Sequence, residues 1–222
     1  MNAGAQVVAA VVLVGGLAGG MWAMAKTSGQ ESEESRPATC SAGHDDARHG
    51  KRVSGAQLCR ALNRRDLPEL LGTPAERAES ADGSESSTKF AGGTKVVTPE
   101  AKVTLKTYTV QLSASYDDFT VSRMTRLLGS AAEKRTVLGR PAVLSSDRTI
   151  AIRFNVDGGK IGKADSAPGG IARRLMVARN AKDGGGSFEV VVWRQDEGMP
   201  DDAALLRVAE KVLPTIPGWH GG

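Results

Sequence analysis

Aromatic side chains are scarce in this chain of 222 residues. Only 4% of the residues are aromatic, and the net charge of +4 is small. Proteins that bind single-stranded nucleic acid stack bases on aromatic rings, and dedicated nucleic-acid binders carry clustered positive charge. We therefore expect no nucleic-acid partner.

The sequence also lacks the usual signatures of catalysis. G-x-S-x-G, H-E-x-x-H and C-x-x-C are absent, and the only histidines are His44, His49 and His220. A catalytic base needs a fixed position, which a loose entry loop or the last few residues do not provide. Asp157–Ala164 resembles a phosphate-binding loop, but Asp and Ala stand where that motif needs Gly and Ser or Thr. We predict no catalytic residue, no metal site and no cofactor.

Acidic residues leave one alternative open. The pairs Asp117–Asp118 and Asp201–Asp202 could supply the two carboxylates that acid–base hydrolysis needs. Both pairs stand where helices are expected to begin, and helix capping by aspartate explains them without a catalytic role. An extracytoplasmic hydrolase with carboxylates at the rim of the sheet is therefore the alternative to a non-catalytic protein.

Charge is absent from residues 1–25. Val7–Ala25 is apolar throughout, and nineteen helical residues span about 28 Å, close to the roughly 30 Å core of a bilayer. The segment predicts a transmembrane signal-anchor over residues 1–25, followed by a disordered linker over residues 26–37. The tripeptide A-M-A that ends at Ala25 also fits a signal-peptidase site, so the alternative is a secreted soluble protein cleaved there.

The chain has two cysteines, Cys40 and Cys59, both at the start of the expected folded body. In an exported protein such a pair predicts a disulfide. With His44 and His49 the cysteines also form a zinc set by residue type, although their spacing matches no usual zinc motif. Reduced thiols would fit a third reading, an anchored regulator whose body faces the cytoplasm. We favour the disulfide and a single-pass protein of the cell membrane with an extracytoplasmic body.

Hydrophobic periodicity predicts a single α+β domain over residues 38–222, with an antiparallel sheet and about three helices on one face. A short helical turn is also expected after Asp66. The main predicted helices share an apolar stripe and a capping residue: Gly55–Leu62, Asp117 or Asp118 to Leu128, and Asp201 to Leu213.

The strands are predicted from apolar alternation and turn residues. Val103–Leu112 changes its apolar face near Lys106–Thr107, which suggests a bulge. Loops are expected at Ala81–Thr88 and Asp157–Gly170. Two C-terminal hairpins are expected: Thr136–Leu144 with Thr149–Phe154 across Ser145–Arg148, and Ile171–Ala178 with Phe188–Arg194 across Asn180–Gly186.

Four arginines fall on predicted strands: Arg153, Arg173, Arg174 and Arg194. Where such side chains face solvent they could form an anion-binding surface for envelope polymers or lipid head groups. A charged outer sheet face that only keeps the protein soluble is the simpler explanation. The sequence thus predicts the membrane as one partner, and an envelope polymer or a protein as another.

The stretches Val53–Asn63, Asp66–Pro74, Ala101–Asp118 and Gly139–Asn155 resemble an uncharacterised family of actinobacterial, chiefly streptomycete, membrane-anchored or secreted domains of unknown function. The segments GGGSFEVVVWRQDE and PDDAALLRVAEKVLPTIPGW share this resemblance, which covers nearly all of the body. It implies an N-terminal hydrophobic segment and an extracytoplasmic body, but no activity. We therefore expect a non-catalytic, membrane-anchored cell-envelope protein that binds a ligand or a partner.

Overall fold

The computed structural model describes residues 11–12, 38–42, 52–89, 95–157, 160–196 and 198–219. Within these ranges the chain is an α+β fold built on one sheet. Two strands of two residues lie at its borders, β1 (Val11–Val12) and β2 (Ser41–Ala42). The seven others pair only antiparallel with one another: β3 (Ser80–Lys89), β4 (Lys95–Thr104), β5 (Tyr108–Ser115), β6 (Glu133–Val137), β7 (Arg140–Asp157), β8 (Lys160–Ala178) and β9 (Ser187–Arg194).

The strand order places the last strand near the middle of the sheet. It runs β1-β7-β8-β9-β5-β4-β3-β2, with β6 paired to β7. β1 is antiparallel to β7, whereas β2 is parallel to β3. The α+β class and the antiparallel sheet predicted from the sequence are confirmed.

Helices pack against both faces of the sheet. The α-helices of the described residues are α1 (Gly55–Leu62), α2 (Leu67–Leu70), α3 (Val121–Leu128) and α4 (Asp202–Val212). α1, α2 and α4 share one core cluster with Val110, Leu112 and Val190, on what we call the inner face. α3 packs on the opposite, outer face against Val143 and Met176. The expectation that the helices lie on one face is wrong, because these strands carry apolar residues on both faces.

The predicted starts of α1 and α4 are confirmed. Ser54 accepts a hydrogen bond from the backbone of Gln57, whose side chain accepts one from the backbone of Ser54, so α1 begins with a complete capping box. Asp201 caps α4 through its carboxylate. Asp66 precedes α2 as expected, but its carboxylate binds the Arg64 guanidinium instead of the helix backbone.

α3 begins at Val121, later than the sequence suggests. Thr120 is its capping residue, and the hydroxyl accepts a hydrogen bond from the backbone of Arg123. The Asp183 carboxylate, from the turn between β8 and β9, accepts from the backbone of Val121 and Ser122, each at 2.8 Å. This tertiary cap fixes the helix start, and no local pattern could predict it.

The segment Ala81–Thr88, expected as a loop, belongs to β3. It pairs with β4 along its whole length. Of residues 81–87 only Ala81 and Gly83 are buried. A strand that buries so few side chains has no apolar alternation, and its sequence therefore resembles a loop.

The change of apolar face near Lys106–Thr107 is a hairpin turn, not a bulge. β4 ends at Thr104, and the backbone N–H of Leu105 donates to the carbonyl of Tyr108 at 2.7 Å. The chain then returns as β5 beside β4. The two halves of the predicted strand are thus the neighbouring strands β4 and β5. Their apolar residues face the same core, and the turn between them explains the change of phase in the sequence.

The expected turn at Ser145–Arg148 and the expected loop at Asp157–Gly170 are also wrong. Ser145–Arg148 continues β7, and residues 160–170 belong to β8, so the two long strands pair directly. The hairpin turn comes earlier, between β6 and β7, at Leu138 and Gly139, which both have positive φ. The second predicted hairpin, β8 with β9, is confirmed, and Asp183 in its turn has φ of 57°.

Most of the predicted membrane segment and linker lies outside the described residues. Of residues 1–37 only Val11–Val12 are described, as β1 beside Ala151 and Ile152. Within the described ranges, no helix has the length and apolar character needed to cross a bilayer. The signal-anchor and the linker stay predictions.

Candidate functional site

The Cys40–Cys59 disulfide joins the start of the body to α1. Its S–S distance is 2.07 Å, and Cys59 is completely buried in the core. The predicted disulfide is therefore present. Because both sulfur atoms take part in it, neither is available as a thiolate ligand for zinc. His44 and His49 lie outside the described residues.

The two predicted aspartate pairs lie apart and have local roles. Asp117 accepts a hydrogen bond from the backbone N–H two residues further on, just before α3, and Asp118 is exposed. Asp201 caps α4, and Asp202 binds Arg173. Asp117 lines the pocket described below.

Three of the four predicted arginines are paired with carboxylates of the fold. In each pair a guanidinium nitrogen lies within 3.4 Å of a carboxylate oxygen: Arg173 with Asp202 and Glu133, Arg174 with Glu189 and Asp147, and Arg194 with Asp196. The side chain of Arg153 lies outside the described residues. These three arginines neutralise carboxylates and present no unpaired charge to an anion.

A pocket of about 180 Å³ opens on the outer face between α3 and the sheet. This volume is below the range of about 300–1,000 Å³ that is typical for drug-sized ligands, so the pocket fits a smaller molecule. Its lining combines apolar, hydroxyl and charged side chains: Phe119, Met124, Val143 and Met176; Ser115, Ser145 and Ser187; Asp117, Arg174 and Glu189.

Glu189 and Arg174 form the charged wall of this pocket. The Glu189 Oε1 lies 2.7 Å from the Arg174 Nε. Burial raises the pKa of Glu189, and the positive charge of Arg174 opposes that rise. Arg174 also lies 3.4 Å from Asp147, so one guanidinium serves two carboxylates.

A second carboxylate with an altered pKa lies nearby on β4. Glu100 faces Ser113 of β5, and Ser113 faces Glu189 of β9, so the two glutamates are two strands apart on the same face. With strands about 4.8 Å apart, their Cα atoms are about 10 Å apart. Burial raises the pKa of Glu100 to about 7; Lys102 opposes this rise, while Asp82 and Glu189 add to it.

The sequence prediction missed both glutamates. Glu189 is the only charged residue in the apolar run Phe188–Trp193, and this position inside a predicted strand was a usable signal. Glu100 lies in the segment T-P-E-A-K, which carries no such signal. Its surroundings are set by strand pairing with β5, which is a tertiary contact.

A family of unknown function, DUF6215, matches residues 1–131, which is more than half of the chain. The chain belongs to this family. The predicted resemblance to a family of unknown function is thus confirmed for these residues. No curated protein and no solved structure matches the chain.

The residues matched by DUF6215 contain only part of the candidate site. The matched residues include the disulfide, α3, Glu100 and Asp117, whereas Arg174 and Glu189 follow them in sequence. The pocket is therefore built jointly by the DUF6215 region and by the three strands β7, β8 and β9.

Proposed function

We propose that this DUF6215 protein is a non-catalytic, membrane-anchored protein of the cell envelope whose extracytoplasmic body binds a ligand or a partner. The uncharged segment Val7–Ala25 would form the single membrane span, which requires Val11–Val12 to leave its pairing with β7, and residues 26–37 would form the tether. The sequence resemblance to membrane-anchored or secreted domains of unknown function supports an extracytoplasmic body.

The observation that carries this proposal is the Cys40–Cys59 disulfide at the entrance to the body. Disulfides persist in oxidising compartments and are rare in the cytoplasm, where thiols are kept reduced. This bond directly follows the predicted tether, so an extracytoplasmic body agrees with both features.

The pocket under α3 supports a binding role. Arg174 and Glu189 neutralise each other, and the remaining polar groups of the wall are three serine hydroxyls and Asp117. The apolar part of the lining includes Phe119. A small molecule with a polar group and an apolar side fits this lining.

Topology is tested by C-terminal reporter fusions to the full chain in bacterial cells. We expect alkaline phosphatase, which is active only after export, to be active, and the thiols to resist alkylation until a reductant is added. The matched control carries Leu13→Arg and Leu17→Arg, because charges in the span oppose insertion, and it should be found in the soluble fraction. A phosphatase fusion that is inactive, with thiols that are alkylated without reductant, contradicts the proposal.

The mass of the isolated protein distinguishes an anchor from a cleaved signal. A full-length mass in the membrane fraction supports the anchor. A chain that begins at Lys26 in the medium supports the alternative of a secreted soluble protein.

A hydrolase is the second candidate function. The observation that favours it is the pKa of Glu100 near 7, because a carboxyl group that is protonated near neutral pH can act as a general acid. Glu189 on the same face would be the second carboxylate. The Cα atoms of the two glutamates are roughly 10 Å apart, with Ser113 between them on the same face.

The hydrolase is tested with p-nitrophenyl glycosides and p-nitrophenyl esters as substrates. If the activity is real, Glu100→Gln and Glu189→Gln should each lower it at least a hundredfold. Glu69→Gln on the exposed surface of α2 is the matched control and should leave it unchanged. The absence of turnover, or equal turnover in all variants, removes these two glutamates as a catalytic pair.

A further inference from the structure

Three arginines meet two aromatic rings at the end of the sheet where β5 finishes. The guanidinium carbon of Arg179 lies 4.5 Å from the ring centroid of Tyr116, and that of Arg52 lies 5.3 Å from the same centroid. The guanidinium carbon of Arg140 lies 3.5 Å from the ring centroid of Trp219. We call these five residues the arginine cluster.

Within the described residues, the positive charge of the cluster is not paired with a carboxylate. Arg173, Arg174 and Arg194 are each held by acidic side chains, but no ion pair joins Arg52, Arg140 or Arg179 to a carboxylate of the described residues. Burial lowers the pKa of Arg140, and the charge of Arg179 lowers it further. The like charges are therefore held together against their mutual repulsion.

Backbone contacts keep the cluster in place. Arg140 donates to the carbonyls of Arg179 and Trp219, so both of its terminal nitrogens are occupied. The Tyr116 hydroxyl accepts a hydrogen bond from the backbone of Val53 at 2.6 Å, which holds the ring against the segment that carries Arg52. The site is thus formed before any ligand arrives.

Two of the arginines keep unused donors. Arg179 donates from Nη1 to the carbonyl of Gly185, and its Nη2 makes no hydrogen bond with the described residues. Arg52 is exposed and makes no hydrogen bond with the described residues. Cation–π contact with Tyr116 restrains both guanidinium groups, which reduces the entropy lost when they bind a ligand.

We propose that Arg52 and Arg179 bind a phosphate group, either as free phosphate or as the head group of an anionic lipid. Planar guanidinium groups donate two parallel hydrogen bonds to phosphate oxygens, a geometry that lysine cannot reproduce. Arg140 adds positive charge to the site without contacting the ligand. This site shares no residue with the lining of the pocket under α3, and the proposal does not depend on the membrane topology.

The test is calorimetric titration of the full chain in neutral detergent at low ionic strength. The two probes are inorganic phosphate and glycerophosphoglycerol, the soluble head group of an anionic lipid. Arg52→Ala should weaken binding about tenfold, since it removes charge-assisted hydrogen bonds from an exposed position. Arg65→Ala removes the same charge from an exposed residue outside the cluster and should change binding less than twofold.

A third variant, Arg179→Lys, keeps the charge but removes the planar fork, and it should weaken binding at least threefold. Binding of both probes indicates a general phosphate site. Binding of glycerophosphoglycerol alone identifies the lipid head group, and binding of phosphate alone identifies the free anion. The proposal is overturned if neither probe binds, or if Arg52→Ala binds as tightly as Arg65→Ala.

Discussion

The backbones of Gly55 in α1 and Gly83 in β3 lie in direct contact. A Cβ atom on Gly55 would be 2.2 Å from the carbonyl oxygen of Ser84, and one on Gly83 would be 2.5 Å from the carbonyl oxygen of Gly55. Both distances are shorter than van der Waals contact, and both partners are backbone atoms. The start of α1 therefore rests on the strand with no side chain between them.

We expect Gly55→Ala and Gly83→Ala each to lower the free energy of unfolding by about 1–3 kcal/mol, because the added methyl group forces the helix away from the strand. Gly184→Ala is the matched control, since its Cβ would meet only the Asn180 side chain at 3.8 Å. Urea denaturation of the three variants measures the difference. Equal midpoints for Gly55→Ala and Gly184→Ala would show that the contact does not constrain the packing.

The disulfide should stabilise the body by restricting the unfolded chain. Cys40 and Cys59 are 19 residues apart, and closing a loop of this length contributes about 3 kcal/mol. We expect the double variant Cys40→Ala/Cys59→Ala to lose about this amount in urea denaturation. Dithiothreitol should destabilise the native chain similarly and leave the double variant unaffected. A native chain that ignores the reductant would contradict this prediction.

Glu100 should make stability depend on pH. Its pKa of about 7 in the folded chain is higher than in the unfolded chain, so the folded state binds more protons between these values. The stability contributed by the protonated carboxyl group is complete below about pH 4.3 and is lost as the pH rises through about 7. After allowance for solvent screening the loss is about 1–2 kcal/mol.

Glu100→Gln mimics the protonated form and should remove this dependence. At pH 8 we expect the variant to be more stable than the native chain, and at pH 4 the two should be equal. In carbon-13 NMR the Glu100 carboxyl should titrate near pH 7, and Glu189→Gln should lower that midpoint because it removes a neighbouring negative charge. A titration midpoint of the Glu100 carboxyl near 4.3 would contradict this prediction.

The ion pair between Arg173 and Asp202 should matter more than the one between Arg194 and Asp196. The Arg173 side chain is only 10% exposed, so loss of a partner leaves a buried charge less well satisfied. We expect Asp202→Asn to lower the free energy of unfolding by about 1–2 kcal/mol. Asp196 is exposed, and Asp196→Asn should cause no measurable change. Thermal unfolding of both variants decides between them.

Local sequence signals predicted the parts of the fold that depend on neighbours in the chain. Ser54 and Gln57 specify the start of α1, and Asp201 specifies that of α4. The signals failed where a partner from elsewhere decides the structure. The Asp183 carboxylate accepts hydrogen bonds at the start of α3, and pairing with β4 holds the polar residues of β3 in a strand.

The candidate site shows the same division. The disulfide was predictable because the chain has only two cysteines. The arginines on the predicted strands could be found in the sequence, but their carboxylate partners could not. The stacking of Arg179 and Arg52 on Tyr116 joins residues 127 positions apart in sequence, and no local pattern announces it.

β9 lies between β5 and β8, although it is the last strand in the chain. During synthesis, strands β3–β5 and strands β6–β8 can therefore join through β9 only after β9 has been made. Until β9 pairs, the edges of β5 and β8 that will receive it stay unpaired. We expect chains whose folding stops before β9 pairs to associate with one another through these open strand edges.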